Sequence, residues 1–295
     1  MATRIVPALL FWYCSMRPRK TSVARSGRDV LNGPVVEMSY PGLDERYRFA
    51  LDLCRQAGEI ALAGFRSAGS FAVQNKGRHD LVTSIDLEID SLAREAISRT
   101  FPEDALVSEE SSGMPGRRIW VLDPVDGTQN FARGIAHFAI SLAFVEEGEV
   151  LLGIVYNPAT RELFSARKGR GAFLNDRRIG VSEASLPEDA VVDIGYSTRL
   201  AEGRYLALLG GALAEGFSFL QQGSAALGLA QVACGRLEAY MEQDLFIWDV
   251  LAGLLLVEEA GGWSMAFPPD ATRGHPALAC APAFRETLTD LLDRA

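Results

Sequence analysis

The run Trp120-Val-Leu-Asp-Pro-Val-Asp-Gly-Thr128 constrains this chain more than any other stretch. Its apolar lead, residues 119–122, predicts a buried strand that delivers Asp123 at its carboxyl end. Pro124 and Gly127 predict a turn, and Asp126 returns three residues later with the amides of Gly127 and Thr128 behind it. Two further acidic residues, Glu109 after a strand at 105–108 and Asp86 at the start of a helix at 86–100, fall at the ends of other elements. Asp249 opens a long apolar helix at 249–260. Five carboxylates brought together would repel one another, and burying any of them unpaired is costly. Divalent cations remove that cost. Carboxylate and carbonyl oxygens suit Mg²⁺, which keeps several waters and takes phosphate oxygens as ligands. Each residue also has a plainer reading: Asp-Pro-Val-Asp-Gly is a common turn composition, and Asp86 and Asp249 stand where helix caps stand.

Net charge limits the alternatives. At −9 the chain lacks the basic surface that broad nucleic-acid binding needs, whereas bound metals would set the local field for an anionic phosphate. The four cysteines, Cys14, Cys54, Cys234 and Cys280, are scattered without a CxxC or a Cys/His cluster, which fits reduced thiols in a cytoplasmic protein. Residues 5–14 are apolar but too few to span a bilayer, which takes about 20. Their flanks are also wrong for a signal peptide, since Arg17, Arg19 and Lys20 follow the apolar stretch. Residues 1–40 therefore read as a disordered extension, with no membrane association expected.

Beyond it the pattern is mixed. Helical periodicity covers 43–65 and 86–100. Strands are expected at 105–108, 118–122, 137–145, 150–156, 162–166 and 172–174, the later ones as an antiparallel run around Glu146-Glu147-Gly148-Glu149. From 191 onward strands (191–194, 217–221, 237–241, 277–280) alternate with helices (200–214, 224–234, 249–260 and one at the C-terminus). This α/β (α+β) alternation suggests two sheets layered with helices, with a metal-binding lobe at 41–185 and a substrate lobe at 186–295 meeting near Ser185.

Four segments together carry a specific resemblance: Asp123-Pro-Val-Asp-Gly-Thr-Gln-Asn-Phe131, Gly169-Arg-Gly-Ala-Phe-Leu-Asn175, Gly223-Ser-Ala-Ala-Leu227, and Trp248-Asp-Val-Leu-Ala-Gly253 continuing to Val257-Glu-Glu-Ala-Gly-Gly262. In their order and spacing the chain resembles the inositol monophosphatase family, within the Mg²⁺-dependent, Li⁺-sensitive phosphatase superfamily. The resemblance runs from about residue 43 to the C-terminus. It implies a layered α-β-α-β-α sandwich, a homodimer, and two or three Mg²⁺ ions per site. It also implies roles. Glu109, Asp123 and the main-chain carbonyl of Val125 resemble ligands of a first ion; Asp123, Asp126 and Asp249 resemble those of a second. Thr128 and Glu109 resemble the pair that orients the attacking water, with Asp86 as their hydrogen-bonded partner. Gly127 and Thr128 amides face the phosphate, and Lys76, in the Asn75-Lys-Gly loop, resembles a lysine near it.

The implied substrate is a small phosphorylated polyol or sugar. Asp126, Gly127, Thr128, Gly223, Ser224, Ala225, Glu242 and Asp249 match the positions that surround it. Glu242 falls where inositol-hydrolysing members carry a glutamate for ring hydroxyls, which favours myo-inositol 1-phosphate. Departures leave histidinol phosphate, other sugar phosphates and nucleotide 3′-phosphates open. Ser108 replaces a usual glycine and Gln129 a common threonine; Gln221 and Gln222 stand where many bacterial members have arginine, and Gly228 where they often have aspartate. A regulatory binding protein built on the same fold is the alternative of a different class.

Overall fold

A computed structural model of the chain describes residues 40, 42–67, 73–77, 80–111, 116–268 and 273–295, with the backbone alone at 73–77 and 80–82. The expected extension at 1–40 lies, apart from Tyr40, outside the described residues. Helix α1 (Leu43–Arg66) buries Ala50, Leu53, Cys54, Ala57, Ala61 and Gly64, the one-face spacing that defines an amphipathic helix. Strands β1 (Val73–Gly77) and β2 (Asp80–Thr83) form an antiparallel hairpin. This corrects the expected loop at Asn75-Lys76-Gly77: ladder hydrogen bonds hold a polar segment that has no alternating pattern to announce it. Helix α2 (Ser84–Thr100) starts on a Thr83 cap and stops just before Pro102.

Seven strands then make the first sheet, in the order β3 (Ala105–Ser108), β4 (Arg118–Asp126), β5 (Ala139–Glu146), β6 (Glu149–Asn157), β7 (Glu162–Arg167), β8 (Gly171–Leu174) and β9 (Arg177–Arg178). Only β3 and β4 run parallel. A short helix α3 (Thr128–Ala132) follows β4. The second sheet has the order β11 (Ser218–Leu220), β10 (Val191–Ile194), β12 (Ala239–Leu245), β14 (His275–Cys280), β13 (Trp263–Ser264). Strand β10 is parallel to both neighbours, whereas β12, β14 and β13 pair antiparallel.

Side-chain alternation assigns the layers. Trp120 and Leu122 face α1 and α2, while Val121 faces α5 (Ala225–Ala233) and α6 (Ile247–Glu259). Tyr240, Ala277 and Ala279 reach that same helical layer from the second sheet. Ala239, Met241, Leu278 and Cys280 point away, onto α4 (Glu202–Ala214) and α7 (Arg285–Arg294). The architecture is a five-layer α-β-α-β-α sandwich. Sandwiched between two sheets, α6 is apolar on nearly every side, burying Val250 through Val257. Gly153 on β6 permits this approach, because a Cβ there would lie 2.5 Å from the Ala252 carbonyl oxygen.

Strand β4 departs from expectation in one respect that matters. It does not end at Leu122 but continues through Pro124 to Asp126, with a register shift against β5 between Asp123 (opposite Ser141) and Asp126 (opposite Ala139). Such an irregularity re-aims side chains and accommodates a proline that has no N–H to donate. At the other end of β4, Asp104 is locked between Arg46, at 2.9 and 3.0 Å, Arg118 at 3.2 Å and the Trp120 indole N–H at 3.2 Å. Among the described residues, no helix is long and apolar enough to cross a membrane.

Candidate active site

The bulge in β4 and the first turn of α6 converge. Asp123, Asp126 and Asp249 each present a carboxylate oxygen within 4.8 Å of the others. Asp249 stands at the third position of α6 rather than at its N-cap, which is Phe246, and its Oδ2 accepts the Phe246 amide at 2.7 Å. Glu109 follows β3, and its amide donates to the Leu122 carbonyl at 3.2 Å, which lays it beside the end of β4. Its charge is the leading electrostatic influence on both Asp123 and Asp249.

Electrostatics confirm how unfavourable the cluster is by itself. Burial holds the Asp123 carboxyl well above the ordinary carboxylate range, and Glu109, Asp126, Asp249 and Asp86 add repulsion. Asp249 is raised by burial and then by Glu109. Asp126 is pushed up to about 6 by burial, against the lowering effect of donors from Ser224 and from the Ala226, Ala225 and Leu227 amides. Among the described residues, no ammonium or guanidinium figures in these influences. An all-oxygen, mutually repelling donor set of this kind fits a hard divalent cation.

The flanking groups are tied down in turn. Asp86 is also raised to about 6 by burial, partly offset by Thr83, whose amide (2.9 Å) and hydroxyl both donate to Oδ2. Its other oxygen, Oδ1, is buried with no donor among the described residues. Asp86 therefore caps α2 through one oxygen. The Thr128 hydroxyl donates to the Val125 carbonyl at 2.9 Å, and the Val125 amide donates to Asp123 Oδ1 at 3.0 Å. Gly127 sits between them at φ +90°, where an added Cβ would lie 3.0 Å from the His137 carbonyl oxygen and 3.2 Å from that of Gly223. That approach joins β4 to the segment before α5.

From that segment come the contacts to Asp126. Ser224 donates its hydroxyl to Oδ2, Ala226 its amide at 2.8 Å, and Ala225 its amide to Oδ1 at 3.3 Å. Glu242 on β12 is buried, accepts the Tyr240 hydroxyl at 2.7 Å, and is pushed up to about 7 chiefly by burial. Gly195 must lack a side chain here, because a Cβ would run into the Glu242 carboxylate. Arg199 lowers Glu242 electrostatically while bonded to Asp244 at 2.5 Å and lying over the Phe246 ring, itself stacked on Trp248. Sequence reasoning missed Asp193, Arg199 and Tyr240; the signal available was one acid inside the apolar strand Val191-Val-Asp-Ile194. Gly228 has a steric reason, since a Cβ there would meet the Tyr240 ring and lie 3.0 Å from Asp193 Oδ2. The side chain of Lys76 lies outside the described residues.

Comparison with known proteins decides what this geometry belongs to. The sequence pattern of the inositol monophosphatase family matches residues 42–284. The chain belongs to the inositol monophosphatase family. An inositol-1-monophosphatase of Rhizobium meliloti (strain 1021) is 41% identical over 214 residues, covering 71% of this chain and 80% of that protein. A protein named Nus factor SuhB from Xylella fastidiosa (strain Temecula1) is 36% identical over 216 residues, covering 72% of this chain and 78% of that one. Among solved structures, extragenic suppressor protein suhB from Bartonella henselae superposes with a TM-score of 0.80 at 33% identity, covering 85% of this chain and 99% of that chain. Like its family, the chain is an enzyme that hydrolyses phosphate monoesters.

Proposed function

We propose that this enzyme is an Mg²⁺-dependent inositol-1-monophosphatase, converting myo-inositol 1-phosphate and water to myo-inositol and phosphate. The observation that carries the reading is the convergence of Asp123, Asp126 and Asp249 within 4.8 Å, facing Glu109, with Glu242 buried on the adjoining strand β12. Glu109, Asp123, Asp126, Asp249 and the Val125 carbonyl would hold two or three Mg²⁺. When bound, Mg²⁺ supplies Lewis acidity to the phosphoryl oxygens and brings the pKa of water toward neutrality. Glu109 and Thr128 would orient the attacking water, and Asp86 Oδ1 would accept from Thr128 once that hydroxyl turns from the Val125 carbonyl, to which it donates here. The Gly127 and Thr128 amides donate to the phosphate as it expands, a transition state that needs electrostatic clamping rather than covalent help. Glu242 would offer hydrogen bonds to ring hydroxyls, with Gly223, Ser224 and Ala225 assigned to the same pocket by the family resemblance. A buried acceptor of that kind discriminates strongly between polyols.

Steady-state kinetics with Mg²⁺ test this across myo-inositol 1-phosphate, histidinol phosphate, fructose 1,6-bisphosphate and adenosine 3′,5′-bisphosphate. The expected result is the highest kcat/KM for the inositol ester. A preference for any of the other three reassigns the substrate, and no phosphate release from any of them defeats the reading. Millimolar Li⁺ is expected to inhibit. The exposed apolar side chains of Phe219 and Leu220 on edge strand β11, with Leu206 on α4, support a homodimer, which light scattering checks. The similarity to a protein named Nus factor favours a second reading, partner binding as the primary role. If that role dominates, Asp123→Asn abolishes turnover without phenotype in the cell.

A further inference from the structure

Asp193 projects from β10 of the second sheet, outside every assignment made above, and is only 1% exposed. Its two oxygens accept from one residue: the Gln222 amide at 3.3 Å and the Gln222 side-chain Nε2 at 3.1 Å. The same Nε2 lies 3.1 Å from Gln231 Oε1 on α5. On its other side Gln222 is held from α3, because its carbonyl accepts Asn130 Nδ2 at 2.8 Å, and Asn130 Nδ2 also donates to the His137 carbonyl at 2.9 Å. Gln222 is thus pinned between β10 and α3. Directly after it the chain turns through Gly223, at φ +75°, into Ser224, Ala225 and Ala226, the three residues that grip Asp126. The bare Gly228 leaves the room that the Asp193 carboxylate occupies. Burying a carboxylate is costly, so a carboxylate spent on one glutamine marks a place where that glutamine must not move.

We infer that Asp193 is a positioning residue for the metal site, holding Gln222 so that the turn at 224–226 keeps Asp126 aimed at its ion. The inference rests on the reading of Asp126 as a metal ligand. Hydrogen-bond partners of metal ligands typically change metal affinity or activity by 10–100-fold when removed, and Asp193 stands one link further out, so its loss is expected to weaken Mg²⁺ binding about tenfold. A purely structural role predicts a lower melting temperature with unchanged affinity in the molecules that remain folded.

Isothermal titration of Mg²⁺ into the full chain separates the two. Asp193→Ala should raise the Kd for Mg²⁺ about tenfold, whereas Asp193→Asn, which keeps an oxygen for the Gln222 amide, should stay within about threefold of wild type. Gln222→Ala, at a half-buried position, provides the same test if Asp193→Ala does not fold, with a Kd raised about threefold or more. An unchanged Kd in a folded variant, while the wild type binds Mg²⁺, overturns the inference alone. A wild-type chain that binds no Mg²⁺ overturns the metal reading together with it.

Discussion

Substituting Asp104 tests a buried polar anchor at the opposite end of β4 from the Asp123 and Asp126 carboxylates. Its side chain is 1% exposed and receives four donors: Arg46 Nε at 2.9 Å and an Arg46 terminal nitrogen at 3.0 Å, Arg118 Nε at 3.2 Å and the Trp120 indole at 3.2 Å. The Arg46 side chain is 10% exposed and lies over the rings of Phe101 and Phe144, 4.5 and 5.0 Å from their centroids. Asp104→Ala leaves that guanidinium buried with its counter-charge gone. Breaking a buried ion pair from one side costs about 3–5 kcal/mol, well above the cost of the few methylene-sized contacts also lost. Urea unfolding should show this as a lower midpoint with an unchanged slope. Removing both charges should cost less than removing one, so Arg46→Met/Asp104→Leu should recover part of the loss. Because the anchor sits away from Asp123, kcat of the folded variant should match wild type. A loss below about 1 kcal/mol for Asp104→Ala would refute the reasoning and class the pair with solvent-screened surface bridges.

Three other outcomes follow from the site. Asp249→Asn should lower kcat by several orders of magnitude yet keep the cap on the Phe246 amide, so its melting temperature should stay near wild type; near-normal turnover would remove Asp249 from the metal site. Glu242 sits at about 7 in the fold against an ordinary 4.5, so its contribution to stability is complete below pH 4.5 and is lost as pH rises through 7. In EDTA, Glu242→Gln should therefore gain up to about 3 kcal/mol over wild type at pH 8 and almost nothing at pH 4.5, read by denaturant titration at both pH values. Asp123, Asp126 and Asp249 are raised in the same sense, so the ion-free chain weakens as pH climbs. Mg²⁺ should consequently raise the melting temperature more at pH 8 than at pH 5.5, and an equal gain at both would contradict the cluster's mutual repulsion.

Much of the fold is readable from local pattern. Helix α1 and strands β3 and β10 fall where periodicity puts them, because each buries one face or a continuous apolar run. The hairpin of β1 and β2 is not readable, since Val-Gln-Asn-Lys-Gly owes its extended form to pairing rather than to its own composition. The proline at 124 suggested that β4 ended early; the bulge absorbs it instead. The turn at 167–170 is pinned from α6, with Glu259 accepting the Gly169 and Gly171 amides at 2.8 and 2.7 Å and Glu258 facing Lys168 at 3.3 Å. Two of the motifs behind the resemblance thus meet each other.

The chain's own letters determine which oxygen donors exist and at which element ends they emerge, because strand termini, caps and turns depend on neighbours a few residues away. They leave open which donors share a cation and which merely hold a loop. Asp126 and Ser224 stand 98 positions apart, and Asp193 and Gln222 stand 29 apart on a different strand and loop. The stacking of two sheets on one helical layer brings the first pair within bonding reach, and the pairing of β10 with β11 brings the second, since both depend on tertiary geometry that no local spacing encodes.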